Sequence, residues 1–245
     1  MYLLYGNNTY LLLALLICMG FAWYADSKVK SAYRMFGAIP NRRGITGRDA
    51  ASRLLHENNL YQIAIGHVRG TLTDYYDPKN EDVNLSDGVY NGSSIASVAI
   101  AAHEIGHVMQ KHTGYSLYRT RVALVPLVNL GSRLAFPLVI VGFLLDILLY
   151  TVAGSVGYWL ALVGVALYAS TLLFALVTLP VELDASRRAK KMLAGQGILT
   201  EEEMHGASKV LSAAAMTYLA SLLISLVYFL RFLFYVMTLF GRRRD

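Results

Sequence analysis

His103-Glu104-Ile105-Gly106-His107 spells H-E-x-x-H inside a run that reads as helix. A spacing of four stacks both imidazoles on one helical face, one turn apart, where their ring nitrogens can grip a single ion. Glu104, one position on, can lean over the open side of that ion and take a proton from a water held there. Two histidines and a general base within five residues point to a zinc hydrolase. A purely structural zinc site has no use for such a glutamate and closes its fourth position with protein.

A catalytic zinc takes three protein ligands and leaves one position to water, so the pair needs a partner and the expectation is one zinc per chain. His56, His67, His112 and His205 offer themselves, as do several acids. His112 falls five residues beyond His107, on another helical face. His56 belongs to an amphipathic helix predicted over Gly47 to Asn58 and opened by a Thr46-x-x-Asp49 capping box. His205 follows Thr200-Glu201-Glu202-Glu203, a second capping box whose acids suit a helix N-terminus and read as solvated structure. Glu182 is the better candidate, with Asp184 as the alternative. It sits in Leu179-Pro180-Val181-Glu182-Leu183-Asp184, where the proline predicts a new or kinked helix.

The elements that must position these residues are also readable. Asn91-Gly92-Ser93-Ser94 breaks the preceding chain and offers serine caps. Ile95 to His112 then keeps apolar residues at helical spacing, and Gly114 ends the run. Gly106 costs about 1 kcal/mol of helix relative to alanine; it either leaves room beside the metal or marks a loosely packed face. Gly70 to Tyr76 and Asp82 to Leu85 read as two strands joined by an Asp77-Pro78-Lys79-Asn80-Glu81 turn. The edge of that pair either docks an extended substrate backbone or merely supports the helix. Tyr75, Tyr76, Tyr90 and Tyr115 are candidates to donate to an oxyanion, and no spacing selects one.

Composition predicts a mainly α integral membrane protein. The chain has 245 residues, an apolar share of 56% and a mean hydropathy of +0.44, too apolar for a soluble domain of that size. Four stretches are long enough to cross a bilayer: Thr9 to Ala25, a segment within Val122 to Val152, Tyr158 to Leu179, and Met216 to Phe240. The expected organisation is therefore a first transmembrane helix (1–25), a polar segment with the HExxH helix (26–118), two transmembrane helices (119–180), a second polar segment with the third ligand (181–215), and a last transmembrane helix with a basic tail (216–245). Nothing basic precedes the first stretch, so it reads as an anchor and not as a cleaved signal.

The net charge of +6 is informative by location. Residues 26–118 hold ten basic and nine acidic residues, and residues 181–215 hold five of each. The excess lies on the spans, their flanks and the tail, which suits anionic headgroups and excludes a nucleic-acid surface. Lys28, Lys30, Arg34, Arg42 and Arg43 follow the first span, and Arg187, Arg188, Lys190 and Lys191 follow the third. Both clusters predict a cytoplasmic active site, with the uncharged Gly154 to Gly157 loop outside. Arg242-Arg243-Arg244 conflicts with four full crossings, because it would then lie outside too. Asn129, Arg133, Asp146 and Arg231 are the polar residues within or beside the spans; Arg133 reads as snorkelling and Asp146 as lying toward the far headgroups. Cys18 is the only cysteine, which rules out an intrachain disulfide and, in practice, thiolate ligation.

The HExxH run, with Asp74-Tyr75-Tyr76-Asp77-Pro78 and Val89-Tyr90-Asn91-Gly92-Ser93-Ser94-Ile95-Ala96 before it and Val181-Glu182-Leu183-Asp184-Ala185-Ser186-Arg187-Arg188-Ala189 after it, resembles the YugP-type membrane zinc metallopeptidases. The likeness runs from the first span through the last. It implies a bacterial-type integral membrane peptidase, with zinc held by His103, His107 and a downstream acid and with Glu104 as the catalytic acid/base. A wider likeness to gluzincins, such as the HtpX-like and CAAX-processing endopeptidases, implies a zincin-like domain and a ligand at Glu182 through their E-x-x-A-D pattern. Ser186 replaces the final aspartate of that pattern, so either Asp184 or Ser186 would orient a ligand histidine.

The expected reaction is hydrolysis of peptide bonds in membrane or membrane-near proteins at a multi-pass protein of the cell membrane. A catalytically silent zinc scaffold and a zinc hydrolase of lipid amides are the alternatives.

Overall fold

The computed structural model describes residues 2–148 and 156–241, with side chains over 9–148 and 156–240. The described chain is mostly helical with one small sheet. Its elements are α1 (Tyr2–Gly37), α2 (Gly47–Glu57), β1 (Ala64–Val68), β2 (Tyr75–Asp77), β3 (Asp82–Ser86), α3 (Asp87–Tyr90), α4 (Ile95–His112), α5 (Ser116–Leu148), α6 (Val156–Gly195) and α7 (Glu201–Gly241). They group into two compact units. One comprises the described residues within Met1–Ala22, Arg119–Leu179 and Leu219–Asp245, the other Trp23–Tyr118 and Pro180–Tyr218.

The first unit is helical. Helices α1, α5, α6 and α7 are long and apolar enough to cross a membrane. Val139, Ala161, Val165, Val236 and Phe240 form its packed cluster, flanked by Phe143, Tyr158 and Phe232. Small residues bring helices together: a methyl on Gly164 would lie 2.7 Å from the Ala135 carbonyl oxygen, the kind of close approach that van der Waals packing in lipid rewards. Large side chains such as Ile17, Phe136 and Trp159 face outward, an arrangement an apolar solvent permits. Asp146 is buried in this unit. Leu149 to Val152 of the second expected span, Gly154 and Ser155 of the expected outer loop, and the Arg242-Arg243-Arg244 tail lie outside the described residues.

The second unit carries the chemistry. Helix α4 spans Ile95–His112, as its apolar spacing and serine caps predict. The Ser94 hydroxyl accepts the Ser97 N–H at 3.0 Å, and Gly114 follows at φ +67°, the left-handed conformation that ends helices. Both capping boxes are at helix starts: Asp49 N–H donates to Thr46 at 3.1 Å, and Thr200 and Glu203 exchange bonds at 2.8 and 3.3 Å. Leu54, Val83, Leu85, Val98, Ile105 and Val108 are fully buried around α4.

Three local expectations are corrected. The sheet has three strands in the order β1-β3-β2, with β1 parallel and β2 antiparallel to β3; β1 escaped notice because Ala64-Ile65-Gly66-His67-Val68 lacks clean alternation. Strand β2 begins only at Tyr75, since Gly70 (φ +120°) and Leu72 (φ +57°) take left-handed backbone that no strand tolerates. Of the two readings of Pro180, a new helix or a kinked one, the first is excluded: the residue lies inside the 40-residue helix α6, where it removes one ladder bond.

Candidate metal centre

Helix α4 places His103 and His107 one turn apart, with ring centroids 4.9 Å apart. Across from them α6 presents Glu182, 2% exposed. One carboxylate oxygen, Oε2, lies 3.2 Å from His103 Nε2 and 3.4 Å from His107 Nε2. Ligand atoms at 2.0–2.1 Å from a tetrahedral ion stand about 3.3 Å apart; the two histidine-to-carboxylate separations match this, all three ligand atoms lie within 4.8 Å of one another, and the donor set of two imidazoles and a carboxylate suits zinc chemically. Among the described residues this is the only group of three or more His, Cys, Asp or Glu side chains that converge in this way.

What brings the two helices so close is Gly106. A methyl there would stand 2.5 Å from the Ala185 carbonyl oxygen and 3.1 Å from its Cα. The missing side chain therefore serves helix contact, and the face is tightly packed, not loose.

Charge is managed in opposite ways at the two glutamates. Burial opposes ionisation of Glu182, but hydrogen bonds with His103 and His107 outweigh it and hold the carboxyl far below the usual range. Glu104 is pushed up to about 7, first by burial and then by the nearby Glu182 and Asp74 carboxylates; His103 and the Tyr76 N–H pull the other way. A carboxyl poised near neutrality is what proton transfer in both directions requires.

The histidines are held from behind. Ser186 Oγ lies 3.1 Å from His103 Nδ1, and Gln110 Oε1 lies 3.0 Å from His107 Nδ1. Of the two residues left open for the role of orienting a ligand histidine, Ser186 touches the ring directly. Asp184 instead binds Gln110, at 3.0 Å, and Arg188, at 2.6 Å. Gln110 was not singled out from sequence, though its place three residues after His107 on the same helix was a usable signal.

The remaining candidates lie apart from this group. His67 pairs with Asp87 at 2.7 Å, His112 lies 3.7 Å from Glu81, His56 packs edge-on against Tyr61, and His205 is exposed. Glu203 belongs to no solvated acidic run: it is buried and accepts the Arg42 N–H at 2.6 Å. Among the tyrosines, Tyr90 packs against His67 and Tyr115 lies under Arg188. Tyr75 is half exposed, whereas Tyr76 adjoins Glu104 through its N–H, and its buried hydroxyl has no hydrogen-bond partner. Tyr118, unmarked in the sequence, brings its ring to 6.3 Å from that of His107.

Residues 10–237 match the family described as "Putative neutral zinc metallopeptidase". The chain is 40% identical over 214 residues to the "Putative membrane protease YugP" of Bacillus subtilis (strain 168), covering 87% of this chain and 91% of that protein. No solved structure matches it. With the family matched along nearly its whole length and a relative this similar, the chain belongs to this zinc metallopeptidase family.

Proposed function

We propose that the chain is a multi-pass zinc endopeptidase of the cell membrane, whose zincin-like domain, residues 26–118 and 181–215, lies on the cytoplasmic side and cleaves membrane or membrane-proximal proteins. The observation that carries this reading is the convergence of His103, His107 and Glu182 beside the buried Glu104. The family match and the relative named as a membrane protease support the same chemistry.

In this reading His103, His107 and Glu182 would hold one zinc per chain, a three-ligand set of the catalytic kind. Bound zinc supplies a Lewis acid that lowers the pKa of its water toward about 7. Glu104 would serve as the group that takes up a proton and gives it back, a two-way role that its near-neutral pKa favours. Burial keeps bulk water from competing for the proton. Strand β2 lies at the edge of the sheet, and its Tyr76 N–H turns toward Glu104, so an extended peptide docked along that edge would lie beside the base. The cytoplasmic assignment rests on the basic residues that follow the first and third spans. Membrane-near substrates are favoured because Glu182 follows the apolar stretch ending at Leu179 by only three positions.

The test uses the full chain, purified in detergent and loaded with zinc. Wild type is expected to cut members of a mixed peptide library, and to cut membrane-tethered peptides faster than soluble casein; Glu104→Gln is expected to bind zinc and cut nothing. Zinc binding without peptide cleavage by wild type would remove the peptidase reading and favour lipid amides or a silent scaffold.

A further inference from the structure

We propose that Gln110 is the positioning residue of the metal centre: its amide locks His107 in the Nδ1–H tautomer, leaving Nε2 to the metal, and ties that ring to the turn of α6 that carries Glu182. The inference rests on reading His103, His107 and Glu182 as metal ligands.

Gln110 is completely buried. Its amide nitrogen has two hydrogens and uses both, toward the Val181 carbonyl at 2.7 Å and Asp184 Oδ2 at 3.0 Å. A backbone carbonyl can only accept. So can the Asp184 carboxylate, which is paired with Arg187 at 3.0 Å and Arg188 at 2.6 Å. Turning the amide over would set its oxygen against two acceptors, so its orientation is dictated by its partners. The remaining atom, Oε1, faces His107 Nδ1 at 3.0 Å. A carbonyl oxygen only accepts, and therefore Nδ1 carries the hydrogen. Nε2, the atom 3.4 Å from Glu182 Oε2, is then the ring nitrogen left to face the metal position.

Ser186 imposes no such rule on His103, because a hydroxyl can donate or accept. The chain of contacts from His107 also returns to the segment that closes its own helix. Arg188, which grips Asp184, reaches Thr113 Oγ1 at 3.2 Å and lies over the Tyr115 ring. A carboxylate that orients a metal-binding histidine is a familiar arrangement; here an amide stands between carboxylate and ring and fixes the tautomer on the way. Gly106 lies one turn before Gln110 on the same face, so close approach and tautomer control act at the same crossing of α4 and α6.

The direct test is nitrogen-15 NMR of histidine-labelled full chain in detergent, with the His107 ring assigned through His107→Asn. An Nδ1–H signal is expected with and without zinc, with Nε2 the zinc-shifted nitrogen when loaded; a ring with no hydrogen on Nδ1, or zinc on Nδ1, overturns the proposal. Zinc affinity by chelator competition is the second readout. Gln110→Met, which keeps length but has no acceptor, is expected to weaken zinc binding by about 10- to 100-fold. Gln110→Glu combined with Asp184→Asn, which restores an acceptor toward His107 and a donor behind it, is expected to recover part of that loss. Unchanged affinity in Gln110→Met would also overturn the proposal. If that variant does not fold, the wild-type spectrum decides alone. Failure of wild type to bind any zinc would instead strike the ligand assignment, while the metal-free tautomer would still report on Gln110.

Discussion

Replacing Gly106 by alanine separates two explanations of the same residue. On an exposed helix face the change adds about 1 kcal/mol of helical preference, and nothing else should happen. In the fold, the new methyl would stand 2.5 Å from the Ala185 carbonyl oxygen, 3.0 Å from its carbon and 3.1 Å from its Cα. All three are backbone atoms of a helix and cannot swing aside, so α4 and α6 must part by about 0.7–1 Å to reach ordinary contact. Overpacking of this kind costs about 1–3 kcal/mol, which cancels or exceeds the helical gain. The larger effect is on the metal. The two ring nitrogens on α4 stand 3.2 and 3.4 Å from the Glu182 oxygen on α6, whereas metal–ligand distances tolerate changes of about 0.2 Å. Gly106→Ala is therefore expected to lower zinc affinity by about tenfold or more in chelator competition, with little or no gain in the melting temperature of the metal-free protein. A variant that binds zinc as tightly as wild type and melts about 2–4 °C higher would refute the close-packing argument.

Three further outcomes follow from the site. Glu104→Gln removes a buried carboxyl raised from 4.5 to about 7; the folded state favours its protonated form, so its penalty is absent below about pH 4.5 and complete above about pH 7. At pH 8 metal-free Glu104→Gln should exceed wild type by about 3 kcal/mol, with no difference at pH 4, as read by denaturant or thermal unfolding in detergent. The same group must be ionised to act as a base, and a cation beside it favours that form. The acid limb of kcat/KM should therefore fall at or below about pH 7, and a limb centred above pH 8 would remove Glu104 from the role. Ser186→Ala deletes the 3.1 Å contact to His103 Nδ1 and should weaken zinc binding by about tenfold while costing about 1 kcal/mol of stability; equal affinity would show that His103 needs no support there.

How much of this was legible depended on whether the cause was local. The motif helix, its serine cap and its glycine stop follow from neighbours within four residues, and Ile95–His112 could be read directly. Glu182 was reachable because a carboxylate after an apolar stretch is conspicuous. Gly106 was not interpretable, since its reason is Ala185, 79 positions away in sequence. Gln110 carried no chemical flag, because an amide becomes meaningful only when its neighbours are known. Strand β1 forms by pairing with β3 beyond β2, a non-local partner for a sequence with little pattern of its own. Glu203 read as a solvated acid until the chain folded Arg42 onto it.

The central claim is that one zinc is held by two imidazoles and one carboxylate with a position left for water. X-ray absorption at the zinc edge of the loaded full chain tests it most directly. The account predicts four light ligands at about 2.0–2.1 Å, two showing imidazole scattering, and the loss of one oxygen ligand from the protein in Glu182→Ala. Three or more imidazoles, a six-coordinate oxygen shell, or a spectrum unchanged by Glu182→Ala would contradict it.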